Sequence, residues 1–362
     1  MTILIAPDKF KGSLTAAQVA DHLAAVFGRD RSVTLPVADG GDGTLDAAVS
    51  AGFHRVPVTA EDPIGREVET AYAEQDGVAV VEMADISGLN RLENLAPRTA
   101  TSYGTGQLIA AALDAGHRKI IIGLGGSACT DGGAGLVQAL GGKLHGVSGR
   151  GGAALRTLTG VDLSDLHPRL AAAEILVASD VDNPLLGPRG AAAVFGPQKG
   201  ANPQDVQDLE AGLAAWHNAV EAATGRDVAG APGAGAAGGV GYATLSVLNG
   251  QFRPGIDLVL DLIGFDSLLA GAELVITGEG SLDEQTLSGK APAGVAARAV
   301  RAGIPVVAVA GRCLLTPDQV RAAGFAAAYA LMDLEPDPRL SMANAGPLLE
   351  TVARTIAADH LG

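Results

Sequence analysis

LVITGEGSLDEQT (274–286) carries an apolar run, Leu274-Val275-Ile276, into glycines and then presents Glu279, Asp283, Gln285 and Thr286 in quick succession. Buried strands of parallel sheets read as continuous apolar runs, and ligands bind outside their carboxyl ends, where the chain turns toward a helix. Four other stretches end in the same way: ILIAPDKFKGS (3–13), VTLPVADGGDGT (33–44), IIIGLGGSACTDGG (120–133) and ILVASDVDNP (175–184). Five such junctions, rich in Asp, Ser, Thr and Lys, exceed what folding alone asks for and read as one composite active site.

Strand-like and helix-like segments alternate along the chain, the pattern of an α/β protein. Leu14 to Phe27 places Val19, Leu23, Val26 and Phe27 at helical spacing between strands near 3–7 and 33–37, a βαβ unit. Toward the other end, strands near 274–277, 305–310 and 326–331 alternate with a helix through about 293–302 and one beginning near Pro317. These five strands fit a single flavodoxin-like parallel sheet of order 2-1-3-4-5, provided everything between is inserted. The expectation is a discontinuous α/β domain of residues 1–60 plus 270–362, with a second α/β domain inserted at 61–269. Strands of the insert fall near 67–73, 78–83, 119–123, 175–179 and 192–195. The Ala/Gly-rich stretch 228–241 follows a helical pattern at 205–223 and precedes another at 242–248, so it reads as a loop opening a helix rather than a linker.

Composition narrows the function. Lys plus Arg number 25 against 40 Asp plus Glu, a net charge of −15, which argues against a nucleic-acid partner or an anionic membrane surface. Only Cys129 and Cys313 occur, without CxxC or a zinc-like His spacing, as expected of a reduced, cytoplasmic protein. Met1 to Ile5 runs straight into a charged turn and lacks the long apolar core of a signal peptide, and no stretch reaches the roughly 20 apolar residues of a membrane helix.

No G-x-x-x-x-G-K-[ST], G-x-S-x-G or H-E-x-x-H is present, and Gly123-Leu-Gly-Gly126 does not complete a dinucleotide fingerprint. What remains is glycine turns before helices, several carboxylates and isolated lysines. Such turns offer backbone N–H groups to phosphates or carboxylates. Carboxylates beside bound anions need an intervening divalent cation or a role as base. Together these parts suit phosphoryl transfer, which asks mainly for positioning, Mg²⁺ and electrostatic stabilisation.

PDKFKGSLTA (7–16), ADGGDGT (38–44), TSYGTG (101–106), GGSACTDGG (125–133), SDVDNPLLGP (179–188), FGPQKGA (195–201), PGAGAAGGVG (232–241) and TGEGSLDEQT (277–286) resemble, in order and over essentially the whole chain, the bacterial glycerate kinases of the type I class. The resemblance implies two α/β domains with the active site in the cleft between them, ATP and Mg²⁺ as cofactors, and ATP-dependent phosphorylation of D-glycerate to 2-phosphoglycerate by a monomer or small homo-oligomer. Departures are Asp42 where Glu is usual, Lys9 for Ser, Thr130 for Asn, and Ser281 for a basic residue. Alternatives are a glycerate 3-kinase or another small hydroxy-acid kinase, and a non-catalytic two-domain ligand binder.

The site candidates follow the strand ends. Asp180 is expected to be the base that orients or deprotonates the acceptor hydroxyl, with Asp39 as second choice and Lys199 as a neutralising cation. Glu279 and Asp283 are expected to hold Mg²⁺ directly or through water. Substrate and nucleotide contacts are expected from Asp8, Lys11, Ser13, Gly40, Gly41, Asp42, Gly43, Thr44, Arg98, Ser102, Tyr103, Gly104, Thr105, Gly125, Gly126, Ser127, Asp131, Asp182, Asn183, Gln285, Thr286 and Lys290. Each has a structural competitor: Ser13 as a cap for a helix starting at Leu14, the 38–44 glycines as a tight turn, Ser102 as a cap, Asp182 or Asn183 as a turn acceptor before Pro184.

Overall fold

The computed structural model describes residues 2–361 and divides into two compact units. The first comprises Met1–Asp39, Asp46–Gly52 and Ile256–Gly362, the second Gly40–Leu45 and Phe53–Gly255. In chain order the strands are β1 (Thr2–Pro7), β2 (Ser32–Thr34), β3 (His54–Glu61), β4 (Glu67–Gln75), β5 (Val78–Glu82), β6 (Lys119–Gly123), β7 (Lys143–His145), β8 (Gly160–Asp162), β9 (Glu174–Ala178), β10 (Gln251–Arg253), β11 (Ala272–Leu282), β12 (Val306–Cys313) and β13 (Ala327–Ala330).

The first unit is built on the parallel sheet β2-β1-β11-β12-β13, which is the 2-1-3-4-5 order of a flavodoxin-like fold. Its central strands β1, β11 and β12 carry buried apolar residues on both faces and separate two cores. One contains Ile3, Ile5, Ile276, Val307 and Val309 with helices Ala16–Phe27 and Ala345–His360; the other contains Leu4, Ala6, Val275, Ala308 and Ala310 with helix Ala291–Arg301. Thr15, not Ser13, caps the first helix, in a reciprocal box with Gln18; Ser13 Oγ instead donates to Met342 O at 2.8 Å. β11 does not stop at Ile276. It pairs with β12 through Leu282, so Glu279 sits within the strand rather than in a turn after it.

The second unit holds the six-stranded sheet β10-β9-β6-β5-β4-β3, in which β5, β6, β9 and β10 run parallel and β3 and β4 form an antiparallel edge. One expected strand is wrong: residues 191–195 form the helix Ala191–Phe195, packed through Ala191 and Ala192 against helices Pro203–Thr224 and Ala236–Ser246. A run of three alanines has no β-branched side chain to fill a pleated surface and tolerates a helix after Gly190. The 232–241 stretch opens the helix Ala236–Ser246, whose residues 237–239 are left-handed and lie against Cys129 and Gly132.

Candidate active site

In the first unit the candidate side chains gather at the carboxyl end of the sheet. Asp8 follows β1, its N–H bonded to Gly278 O at 2.8 Å. Beyond β2 the chain keeps pairing with β1 through Leu35 N–H to Ile5 O and Val37 N–H to Pro7 O, which delivers Asp39 to the same end. Burial, then the neighbouring Asp39 carboxylate, push Asp8 up to about 7 despite relief from Lys9, and Glu279 adds further repulsion. Asp8 Oδ1 accepts its neighbour's Lys9 N–H at 2.6 Å. Lys11 is exposed on the following loop, whose backbone passes close to Gly280.

Glu279 is 9% exposed and accepts the Thr286 hydroxyl on Oε1 at 2.6 Å. Burial raises its carboxyl, opposed by Thr286 and by Lys290. Lys290 Nζ lies 3.5 Å from Glu279 Oε2 and 3.8 Å from Asp283 Oδ1, so an ammonium group stands between the two carboxylates expected to hold metal. Asp283 Oδ1 also accepts the N–H groups of Gln285 (2.9 Å) and Thr286 (3.3 Å), closing the turn that presents Thr286; the Gln285 side chain is exposed. Among the described residues no group of three or more His, Cys, Asp or Glu side chains is arranged to hold a metal ion by itself. Mg²⁺ bound with nucleotide phosphates needs only one or two protein carboxylates, and Glu279, whose second oxygen lies 3.5 Å from Lys290 Nζ, fits that need better than Asp283, whose Oδ1 holds two backbone N–H groups.

In the second unit, residues 40–45 lie across the carboxyl ends of three adjacent parallel strands. A Cβ on Gly40 would sit 2.8 Å from Ala178 Cβ after β9, and one on Gly125 would sit 2.5 Å from Gly41 Cα after β6. These glycines are therefore required for two chain segments to touch, whatever they offer a ligand. Gly125 N–H donates to Gly40 O at 3.3 Å, and Thr44, fully buried, returns its hydroxyl to Gly41 O at 2.7 Å. At the end of β5, Glu82 Oε2 accepts Gly43 N–H (3.2 Å) and Leu45 N–H (2.8 Å). Asp42 and Gly126 are exposed at this edge.

Other sequence candidates serve the interior of this unit. Asp131, 1% exposed, accepts Thr101 Oγ1, Ser102 N–H and Ser102 Oγ on Oδ2, with Gly133 and Gly135 N–H completing its shell. Thr105 Oγ1 donates to Ser87 Oγ at 2.8 Å, and Gly104 abuts Glu61 O. Lys199 is 2% exposed and donates to Ser127 Oγ (2.9 Å) and Cys129 O (2.5 Å), so it braces the 125–131 loop from behind; burial lowers its pKa. The half-buried Tyr103 ring lies 5.7 Å from the Arg150 guanidinium. Arg98 is committed to Asp205 and Asp208 of helix Pro203–Thr224, both at 2.7 Å. Asp182 faces Arg189 at 3.5 Å, and Asn183 Nδ2 donates to Arg189 O. Asp180 is exposed, and its Oδ1 accepts Gly255 N–H at 3.0 Å.

Two residues escaped the sequence reading. Glu82 ends an apolar strand, VAVVE, as the chosen acids do, but no glycine follows it. Arg312 is exposed at the end of β12, where Nε donates to Ser281 Oγ at 3.0 Å.

The combination of a carboxylate held near neutrality, a lysine-balanced carboxylate pair and glycine-rich strand ends is suited to moving a proton beside a polyanion. The model of the glycerate kinase family matches residues 3–361. The glycerate kinase of Halalkalibacterium halodurans is 42% identical over 98% of this chain and 97% of its own length, and the glycerate 2-kinase of Escherichia coli is 43% identical over 86% and 85%. A crystal structure described as glycerate kinase 2 from Salmonella typhimurium LT2 superposes with a TM-score of 0.83 at 40% identity, covering 100% of both chains.

Proposed function

Since the chain belongs to the glycerate kinase family, we propose that it transfers the γ-phosphoryl group of ATP to the 2-hydroxyl of D-glycerate, yielding 2-phosphoglycerate and ADP. The observation that carries the chemistry is Asp8, whose carboxyl is raised to about 7 beside Asp39 at the end of the first unit's sheet. A proton acceptor is most effective when its pKa lies near the working pH. The Asp8–Asp39 pair takes the hydroxyl proton as the glycerate oxygen bonds to the γ-phosphorus and the bond to the ADP oxygen breaks. Asp180 has its Oδ1 engaged by Gly255 N–H, which leaves it a lesser claim on this role.

Glu279 is the carboxylate we assign to Mg²⁺, and the ion supplies charge neutralisation at the phosphates when bound. Lys11, Lys290 and Arg312 supply fixed positive charge for phosphate or for the substrate carboxylate. A cytoplasmic setting, where ATP is abundant, fits this reaction. Phosphorus NMR of the product tests the proposal. A 2-phosphoglycerate signal that needs both ATP and D-glycerate is expected; 3-phosphoglycerate would move the acceptor hydroxyl, and absence of any ATP-dependent product would overturn the reading.

A further inference from the structure

The segment Gly40–Leu45 is held at three strand ends by contacts of different kinds. The ends of β6 and β9 meet it backbone against backbone, through Gly125 N–H to Gly40 O and the close approach of Ala178 to Gly40. The end of β5 meets it with a carboxylate, which gathers two N–H groups of the segment, Gly43 and Leu45, onto the single oxygen Glu82 Oε2. These N–H groups flank Thr44, and the segment begins immediately after Asp39 and contains Asp42. Gly43 has a left-handed backbone, φ 102°, so the turn after Asp42 gets little conformational preference from its own residues and relies on what holds its N–H groups.

We propose that Glu82 is a positioning residue for phosphoryl transfer: without touching substrate, it fixes the 40–45 segment and with it the placement of Asp42. This rests on the kinase reading given above. The carboxylate is 4% exposed, which shields it from a bound ligand, and among the described residues it makes no ion pair. The charged groups that act on it are Asp42 on the segment and Asp85 on the helix Met83–Ser87, the latter paired with Arg91 at 3.1 Å. Both are acidic, and together with burial they raise Glu82 to about 7. The anionic form is the stronger acceptor for the two N–H groups. The grip on the segment therefore tightens as pH rises through neutrality.

Glu82→Gln keeps an acceptor oxygen and loses the charge; Glu82→Ala loses both. Misplacing a catalytic group by about 1 Å costs on the order of 100-fold, so Glu82→Ala is expected to lower kcat by about that factor with KM for D-glycerate and ATP changed by no more than about threefold. Glu82→Gln should recover most of kcat. Amide hydrogen exchange at Gly43 and Leu45, corrected for intrinsic rates, should become more protected from pH 6 to pH 8 in the wild type and show no such change in Glu82→Gln. That readout needs no turnover, so it decides the proposal's structural half even where the kinase reading fails or Glu82→Ala does not fold. A folded Glu82→Ala with wild-type kcat, or pH-independent protection at both amides in the wild type, would overturn it.

Discussion

Arg312 and Ser281 are register partners across β12 and β11, and the guanidinium Nε donates to the serine hydroxyl at 3.0 Å. The hydroxyl is neutral, so it orients the guanidinium without cancelling its charge. An arginine presented this way offers a planar fork to a carboxylate or phosphate. Arg312→Ala is expected to raise KM for D-glycerate or for ATP by about tenfold, the equivalent of roughly 1.4 kcal/mol. With Arg312 exposed, its melting temperature should stay within a few degrees of wild type. Steady-state kinetics with each substrate varied in turn identifies which anion it serves; unchanged KM for both would remove Arg312 from the site.

Asp8 links activity to stability with opposite signs. Its carboxyl is raised from 3.8 to about 7, so the folded state holds a proton that the unfolded state has released between those values. The stabilising contribution is thus present below about pH 4 and is lost as pH rises through about 7, while the proton-accepting form appears over the same interval. Asp8→Asn should gain thermal stability over wild type at pH 8, gain less at pH 5, and lose nearly all turnover. Melting curves at the two pH values, in metal-free buffer, check the sign. Greater destabilisation at pH 8 than at pH 5 would contradict the assignment.

For the carboxylates around Lys290 the expectation divides. Glu279→Gln should raise the Mg²⁺ concentration needed for half-maximal rate by about tenfold or more, as removal of a direct or closely bound partner does. Asp283→Asn should leave it within about twofold, because an amide oxygen can still close the turn onto the N–H groups of Gln285 and Thr286. Titration of rate against Mg²⁺ at saturating ATP separates the two. Equal shifts in both variants would restore Asp283 as a metal partner.

Lys199 should behave as a brace. Replacing it with Met strands Cys129 O and Ser127 Oγ in the interior, for an expected loss of about 1–3 kcal/mol in urea unfolding. Its native ammonium, 2% exposed, should also resist acetylation that readily modifies the exposed Lys11. Rapid native-state acetylation at Lys199 would show that the loop opens.

The sheet order of the first unit was legible because its central strands are apolar on both faces, as in ILIAP and LVI, and because glycine and acid mark the ends of β1 and the LVI run. The strand β3 was not. It alternates exposed and half-buried positions and contains Pro57, so it lacks the continuous apolar signal of β5 and β6. The extent of β11 was hidden by its glycines, one of which, Gly278, lets Val309 O approach so closely that a Cβ would lie 2.0 Å away. The carboxylates at the strand ends of the first unit were placed by sequence position, whereas the long-range pairings inside the second unit were not. Lys199 works on residues 70 and 72 positions earlier, and Glu82 on residues 37 and 39 positions earlier. Spacing along the chain carries no trace of such pairings.

The six residues Gly40–Leu45 belong with the second unit although the residues on either side of them belong with the first. Modularity is therefore incomplete in this chain. A fragment cut at the long crossing, Phe53–Gly255, would carry every strand of its sheet but would leave behind the piece that covers the ends of β5, β6 and β9. Glu82 would then be buried without its two N–H donors, or exposed to water in a place shaped to exclude it. Transplanting the larger module into another scaffold, or exchanging it between relatives, requires the short segment to travel with it as a second graft, and recombination between positions 45 and 53 separates parts that fold as one.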